Sequence, residues 1–481
     1  MRPYSRPISP DSTLGDNRKI LQIFWIVAFC LCSWVLFFSD TSELLSIGAA
    51  LVVVIAALFP AYLWCSKRAL GRPIFPLFAI TFIWTYALPF VSNFSGMMQY
   101  TSEQRWFAGI TTASFLAIAT FIWFQFVYSA PKRPQSYRVL LGNNGDNFLL
   151  AALALGTLFS LNNNSKFLDF AAFFTLIRGI ILALNALASF TLSYKLGKNE
   201  LTRNQKNSFL FLISLLLISD TVGLLLINSI SIFVVAIAGF TNARRRIPLR
   251  ILLISLMCFV LLHFGKGEMR VKYGFGPQVQ PWDYPAWFVE WSGYSLNYLT
   301  PSSSGIKVEE KQSFTERSSV VQLLLLTQTK SPSSVPYLNG ATYAIIPQLF
   351  IPRIFNNSKI ASHEGTYLLN IHYGRQTRQD TLTTTIGWGL LAESYANFGI
   401  FGCGGLAVVI GILYGQITRW GINSPLLSDR SLLNITMLAY AFQSEYSAGV
   451  YVAALFQSGI VLLGLSIFLM KSTPSEYFIE E

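Results

Sequence analysis

Residues 44–65 read Leu-Leu-Ser-Ile-Gly-Ala-Ala-Leu-Val-Val-Val-Ile-Ala-Ala-Leu-Phe-Pro-Ala-Tyr-Leu-Trp-Cys. No charge interrupts the run, and it meets the roughly 20 apolar residues that a helix needs to cross a bilayer. A surface helix of a soluble protein would keep one polar face, which this run lacks. Its flanks set a direction: Asp40 and Glu43 precede it, and Lys67, Arg68 and Arg72 follow. Because Lys and Arg concentrate in cytoplasmic loops, the run is expected to enter from outside and leave inside.

Composition extends this reading to the whole chain. Of 481 residues, 53% are hydrophobic and 12% charged, about half the ~25% charge of soluble domains. That balance excludes an ordinary soluble enzyme and a disordered chain. The five cysteines (Cys30, Cys32, Cys65, Cys258, Cys403) all fall in apolar runs, with neither a disulfide framework nor zinc spacing among them. The hydropathy pattern predicts an all-α polytopic membrane protein of about twelve spans, near 20–38, 44–65, 74–95, 106–129, 147–162, 167–194, 208–224, 227–241, 249–264, 397–418, 431–446 and 449–470. The apolar run Ser208–Thr241 lies between Lys195, Lys198, Arg203 and Lys206 on one side and Arg244, Arg245, Arg246 and Arg250 on the other. If positive loops stay inside, it crosses an even number of times.

The same rule puts both termini in the cytoplasm, with Arg2, Arg6, Arg18 and Lys19 before the first span and Lys132, Arg133 and Arg138 after the fourth. No small-x-small cleavage site follows the first span, which therefore reads as an uncleaved anchor. The net charge of +12 is then a topological signature, and no nucleic acid is expected as a partner. Three regions result: a membrane region over 1–264 with about nine spans, a large external loop over 265–387, and a second membrane region over 388–481 with about three.

A loop of that length is expected to be functional. Its first part holds Trp282, Tyr284, Trp287, Trp291 and Tyr294, aromatics suited to the membrane interface or to sugar stacking. Phe314–Gln328 reads as an amphipathic helix lying on the bilayer surface. Basic residues gather along the loop: Lys266 and Arg270, then Arg353 and Lys359, then Arg375 and Arg378. Guanidinium groups bind phosphate oxygens in bidentate fashion, so such a group at a membrane surface suits a lipid phosphate or pyrophosphate, with scattered surface charge as the plainer alternative. Within the spans, Arg178, Asp220 and Glu445 are costly to insert and are candidates for function or pairing, Arg178 with Asp220 first. Glu393 stands just before a span in Trp388-Gly-Leu-Leu-Ala-Glu-Ser-Tyr-Ala-Asn-Phe-Gly-Ile-Phe-Gly402. A carboxylate there can serve as general base for a hydroxyl acceptor, or simply complement a helix N-terminus.

Four stretches, in order, resemble the bacterial oligosaccharide repeat-unit polymerases, the O-antigen (Wzy-type) group: Lys266-Gly-Glu-Met-Arg270, Pro332 to Tyr343, Ile351-Pro-Arg353 with Lys359, and Glu393-Ser-Tyr-Ala-Asn-Phe-Gly399. They span roughly residues 264–402. The chain departs from the family where Trp-Pro and Lys-Pro often follow the arginine; here Asn356-Asn357 and Lys359-Ile360 stand instead. The resemblance implies a GT-C-like membrane glycosyltransferase by analogy, in the bacterial inner membrane with its large loop periplasmic. It would move a growing glycan from undecaprenyl pyrophosphate to the sugar hydroxyl of a lipid-linked repeat unit. Implied roles are pyrophosphate binding by Arg270, Arg353, Lys359, Arg378 and Lys266, and base catalysis by Glu393, with His363 or His372 as alternatives. Tyr395, Asn397 and Trp388 would bind the acceptor. No metal or other cofactor is expected. Partners would be the lipid-linked oligosaccharide, membrane lipids, and a chain-length regulator or flippase. A ligase that passes the glycan to another acceptor shares the same donor chemistry. A lipid-linked oligosaccharide transporter is the alternative from another class, with its site near the midplane.

Overall fold

In the absence of water, each apolar run must close its amide hydrogen bonds internally, and the chain does so as helix after helix. The computed structural model describes residues 11–140, 143–165, 174–224, 226–244, 248–274, 277–299, 316, 318–351, 360–383 and 386–478. In order these hold α1 (Asp11–Phe37), α2 (Leu44–Cys65), α3 (Ile74–Phe82), α4 (Ser102–Val127), β1 (Ser136–Leu140), α5 (Asn143–Ser165), α6 (Phe174–Lys198), α7 (Arg203–Val222), α8 (Leu226–Arg244), α9 (Leu249–Tyr273), α10 (Tyr284–Leu299), α11 (Val321–Lys330), α12 (Glu364–His372), α13 (Gly389–Gly421), α14 (Asp429–Ala441), α15 (Ala448–Phe468) and β2 (Met470–Pro474). Every expected span overlaps a helix. Among the described residues, eight helices are long and apolar enough to cross a membrane, and the molecule is a mostly helical polytopic membrane protein. The remaining runs fall short for visible reasons. The run after Ile74 is interrupted by a π-turn at Ile83–Ala87 ahead of Pro89, α14 is brief, α5 ends in Asn162-Asn163-Asn164, and α7 carries Arg203, Lys206 and Asp220.

Small residues bring helices together. A Cβ on Gly109 of α4 would lie 2.7 Å from Ala49 Cβ of α2, so these helices meet nearly backbone to backbone. One apolar core joins α2, α3, α4, α11 and α13, and a second joins α5 to α8 with α14 and α15. Ser208–Thr241 folds as two helices, with Gly223 and Leu224 between them and Leu224 at φ +60°. Thr221 and Ser229 hydroxyls meet at 2.9 Å beside the turn. The outer side of α9 leaves Ile251, Leu253, Ile254, Leu256 and Met257 exposed, a surface suited to lipid rather than water.

The loops sort onto two faces. On the basic face, β1 pairs antiparallel with β2, Ser136 opposite Pro474 and Leu140 opposite Met470. These strands lay outside the all-α expectation. Tyr137 and Val139 are buried while Ser136 and Arg138 are exposed, the period-two pattern of a half-buried strand. Arg72 on this face donates to the Ser431 carbonyl (2.9 Å) and to its hydroxyl, and burial pushes its guanidinium down to about 10. Lys195 and Asp146 form a buried ion pair.

On the opposite face the structure corrects three expectations. First, α9 runs on to Tyr273, so Lys266 and Arg270 occupy its last turns and the loop starts later than residue 265. Second, the helix expected on the bilayer surface is α11, and it is internal: Val321, Leu323, Leu324, Leu325, Leu326 and Thr327 are buried against α4 and α13. Four consecutive leucines cover all sides of a helix, which then buries itself instead of floating. Third, Trp287 and Trp291 of α10 pack into a core with Met269, Val222 and Leu224, while Trp282 stays exposed. Asp220 accepts a hydrogen bond from the Ser160 hydroxyl; the side chain of Arg178 lies outside the described residues.

Candidate functional site

The site is built around a broken helix. Within α13, Phe398 (φ −140°, ψ 16°) and Gly399 (φ 60°, ψ −145°) leave helical geometry. Gly389–Asn397 therefore folds back on the longer stretch that follows. A Cβ on Gly402 would sit 2.3 Å from the Ser394 carbonyl oxygen, a contact that only glycine permits. Gly399 is equally constrained, with Tyr337 Oη 2.8 Å from where its Cβ would lie. Breaking a helix frees the last carbonyls before the break. The loop Pro336–Thr342 supplies their donors: Leu338 N bonds to Ala396 O (3.0 Å) and Asn339 N to Asn397 O (3.1 Å).

Asn397 ties this corner together. Its Nδ2 donates to Glu393 O and Thr342 Oγ1, both at 2.8 Å, and its Oδ1 accepts from Gly340 N at 3.1 Å. Trp388 is buried, with Nε1 donating to Asn370 Oδ1 (2.7 Å) and its ring 5.2 Å from that of Tyr373. Tyr395 is buried against Tyr337. The three residues expected to bind the acceptor thus lie together, but inside the protein and bonded to it.

Glu393 is 0% exposed. Its Oε2 accepts from Ala448 N, the first residue of α15, at 2.6 Å. Its Oε1 has no hydrogen-bond partner among the described residues and lies 3.8 Å from where a Gly365 Cβ would be. The carboxyl therefore pins α13 to α15, beside Thr342 and the start of α12. A neighbouring link, Thr366 Oγ1 to Ser447 Oγ at 2.7 Å, joins α12 to the same junction.

Glu445 stands two residues before that link. Its carbonyl accepts from Gly389 N at 3.1 Å, and a Cβ on Gly387 would meet the same carbonyl oxygen at 3.0 Å. Its side chain keeps an open face, yet the protein packed around it desolvates the carboxyl and raises it above the ordinary range, against the pull of Lys266 and Arg270. Glu445, within electrostatic reach of Lys266 and Arg270, thus stands at the turn before α15, while Glu393 pins α15 to α13 from inside the protein. Arg270 also donates to Leu224 O at 2.8 Å, which fixes it to the α7–α8 turn.

Other expected residues are dispersed. Arg378 forms a two-pronged pair with Glu364 (2.7 and 3.2 Å) and lies over the Tyr367 ring, and the Glu364 carboxylate holds its guanidinium above the ordinary range. His363 is exposed with its ring stacked on Tyr367. His372 Nε2 lies 2.8 Å from Pro336 O. Arg353 and Lys359 lie outside the described residues. Tyr337 and Thr342 lie in the Pro332–Tyr343 stretch but carried no expected role, Asn370 and Gly365 were not singled out, and Glu445, a candidate at the end of an expected span, stands in the turn between α14 and α15. A further signal for the corner is the cluster Gly387, Gly389, Gly399 and Gly402. Among the described residues, no group of three or more His, Cys, Asp and Glu could hold a metal ion. Compared with protein-family models, curated proteins and solved structures, the chain finds no match.

Proposed function

We propose that this face carries a membrane glycosyltransferase site that lengthens a glycan on a lipid pyrophosphate carrier, in keeping with the resemblance to oligosaccharide repeat-unit polymerases. The observation that carries the reading is the pull of two cations, Lys266 and Arg270, on the exposed carboxyl of Glu445, next to the α13–α15 junction that Glu393 holds. Cations fixed at the lipid surface stabilise the charge that develops on a departing pyrophosphate. A carboxylate beside them takes the proton of the attacking hydroxyl. In the transfer, the acceptor oxygen bonds to the anomeric carbon, the carbon–oxygen bond to pyrophosphate breaks, and the released charge falls on Lys266 and Arg270. Asn397, Trp388 and Tyr395 hold the corner that sets the carboxyls in place. The basic face is then cytoplasmic and the site periplasmic, in a bacterial inner membrane.

Purified protein in liposomes, given lipid-linked glycan extracted from cells that lack this chain, is expected to produce longer glycans. Arg270→Ala is expected to reduce elongation by at least about 100-fold, the scale of losing one electrostatic contact to a transition state. Lipid that merely equilibrates across the bilayer without lengthening would refute the reading and favour transport.

A further inference from the structure

We propose that Glu445 is the carboxyl that meets the acceptor hydroxyl, and that Glu393 is a positioning residue that holds Glu445 in place; this rests on the reading above. A substrate hydroxyl can give up its proton only to an atom it can touch. Glu393 is 0% exposed, and one oxygen is committed to the Ala448 amide. Glu445 offers an open face and feels the charges of Lys266 and Arg270.

The connection between the two acids is short. Glu393 fixes Ala448, three residues after Glu445, while Gly389, four residues before Glu393, donates to the Glu445 carbonyl at 3.1 Å. The start of α13 and the turn before α15 are thereby clamped at two points, and the Glu445 side chain leaves from between them. Gly387 and Gly389 permit this approach: a Cβ on Gly389 would meet Ser444 O at 3.0 Å, and one on Gly387 would meet Glu445 O at the same distance. Desolvation also raises the affinity of Glu445 for a proton, which strengthens it as a base. The acceptor proton passes to the Glu445 carboxylate as the new glycosidic bond forms. It then leaves to water, and the pyrophosphate departs against Lys266 and Arg270.

The assignment is tested with E445Q, E445D and E393Q in liposomes, by elongation of the extracted lipid-linked glycan and, separately, by binding of undecaprenyl pyrophosphate. E445Q is expected to bind the carrier as tightly as wild type or more so, because a negative charge beside the phosphates is gone. Its elongation rate should fall by about 100-fold or more, and E445D should recover a measurable part. E393Q should lower the melting temperature and weaken elongation in step with it. An E445Q protein that keeps the wild-type rate overturns the assignment, as does an E393Q protein that melts like wild type yet does not elongate. A wild type that binds carrier but never elongates removes the functional reading, and this assignment falls with it. Loss of carrier binding in E445Q would instead make Glu445 a structural counter-charge.

Discussion

At Gly399 the backbone takes φ 60° and ψ −145° with the Tyr337 hydroxyl against its α-carbon, and each condition alone disfavours a side chain. Gly399→Ala is expected to cost about 1–3 kcal/mol from backbone strain alone, read as a lower melting temperature in detergent. An unchanged melting temperature would show that the corner can relax. Asn397→Ala removes two donated bonds and one accepted bond from a buried position, and should destabilise by about 1–3 kcal/mol. At this scale the sequence was legible as chemistry but not as placement. Glu393, Tyr395, Asn397 and Trp388 were recognisable as neighbours in the chain. That they face inward follows from the break at Phe398-Gly399, which reverses the chain, and no helical periodicity shows that reversal.

Among the elements, the leucine-rich α11 shows how a pattern can be read correctly as helix and wrongly as surface. Leu323 to Leu326 could equally face lipid or protein; what decided was the shape of α4 and α13, which leave room for an internal helix. Leu324, fully buried, is the position to test: Leu324→Ala should destabilise by about 2–5 kcal/mol, measured by thermal unfolding in detergent. The α9–α10 pair offers a pH test. Glu290 bonds to Lys272 Nζ at 2.6 Å and to the Tyr273 hydroxyl at 2.7 Å, and these two partners, the lysine foremost, hold its carboxyl below the ordinary range. A carboxyl lowered in the folded state contributes stability above its unfolded pKa of about 4.3, and loses it as pH falls through the folded value. The melting-temperature gap between wild type and Glu290→Gln should therefore be full near pH 6 and shrink on acidification below about pH 4. A gap that widens in acid would contradict this pairing.

For the whole molecule, uncharged runs and their basic flanks marked out where the helices lie, to the residue at Leu44–Cys65, because a bilayer leaves the backbone few choices. Less visible was how the loops fold back upon the helices, since buried loop residues such as Trp287 and Trp291 have the same composition as interfacial ones. Orientation can be measured in a cysteine-free background. A membrane-impermeant maleimide is expected to label Glu103→Cys in intact cells and Lys132→Cys only after permeabilisation. The reverse result would place Glu445 inside the cell.

The ribbon of β1 and β2 has a consequence for biogenesis. Arg138 donates to the carbonyl of Ser466, 328 positions further along the chain, and β2 follows at once. Until the intervening helices have been made, β1 lacks its partner strand and presents bare amide and carbonyl edges, a docking edge for any extended segment. The ribbon can close only after α15 has entered the membrane. A chain halted before Met470 would therefore keep its helices but leave that edge unlatched.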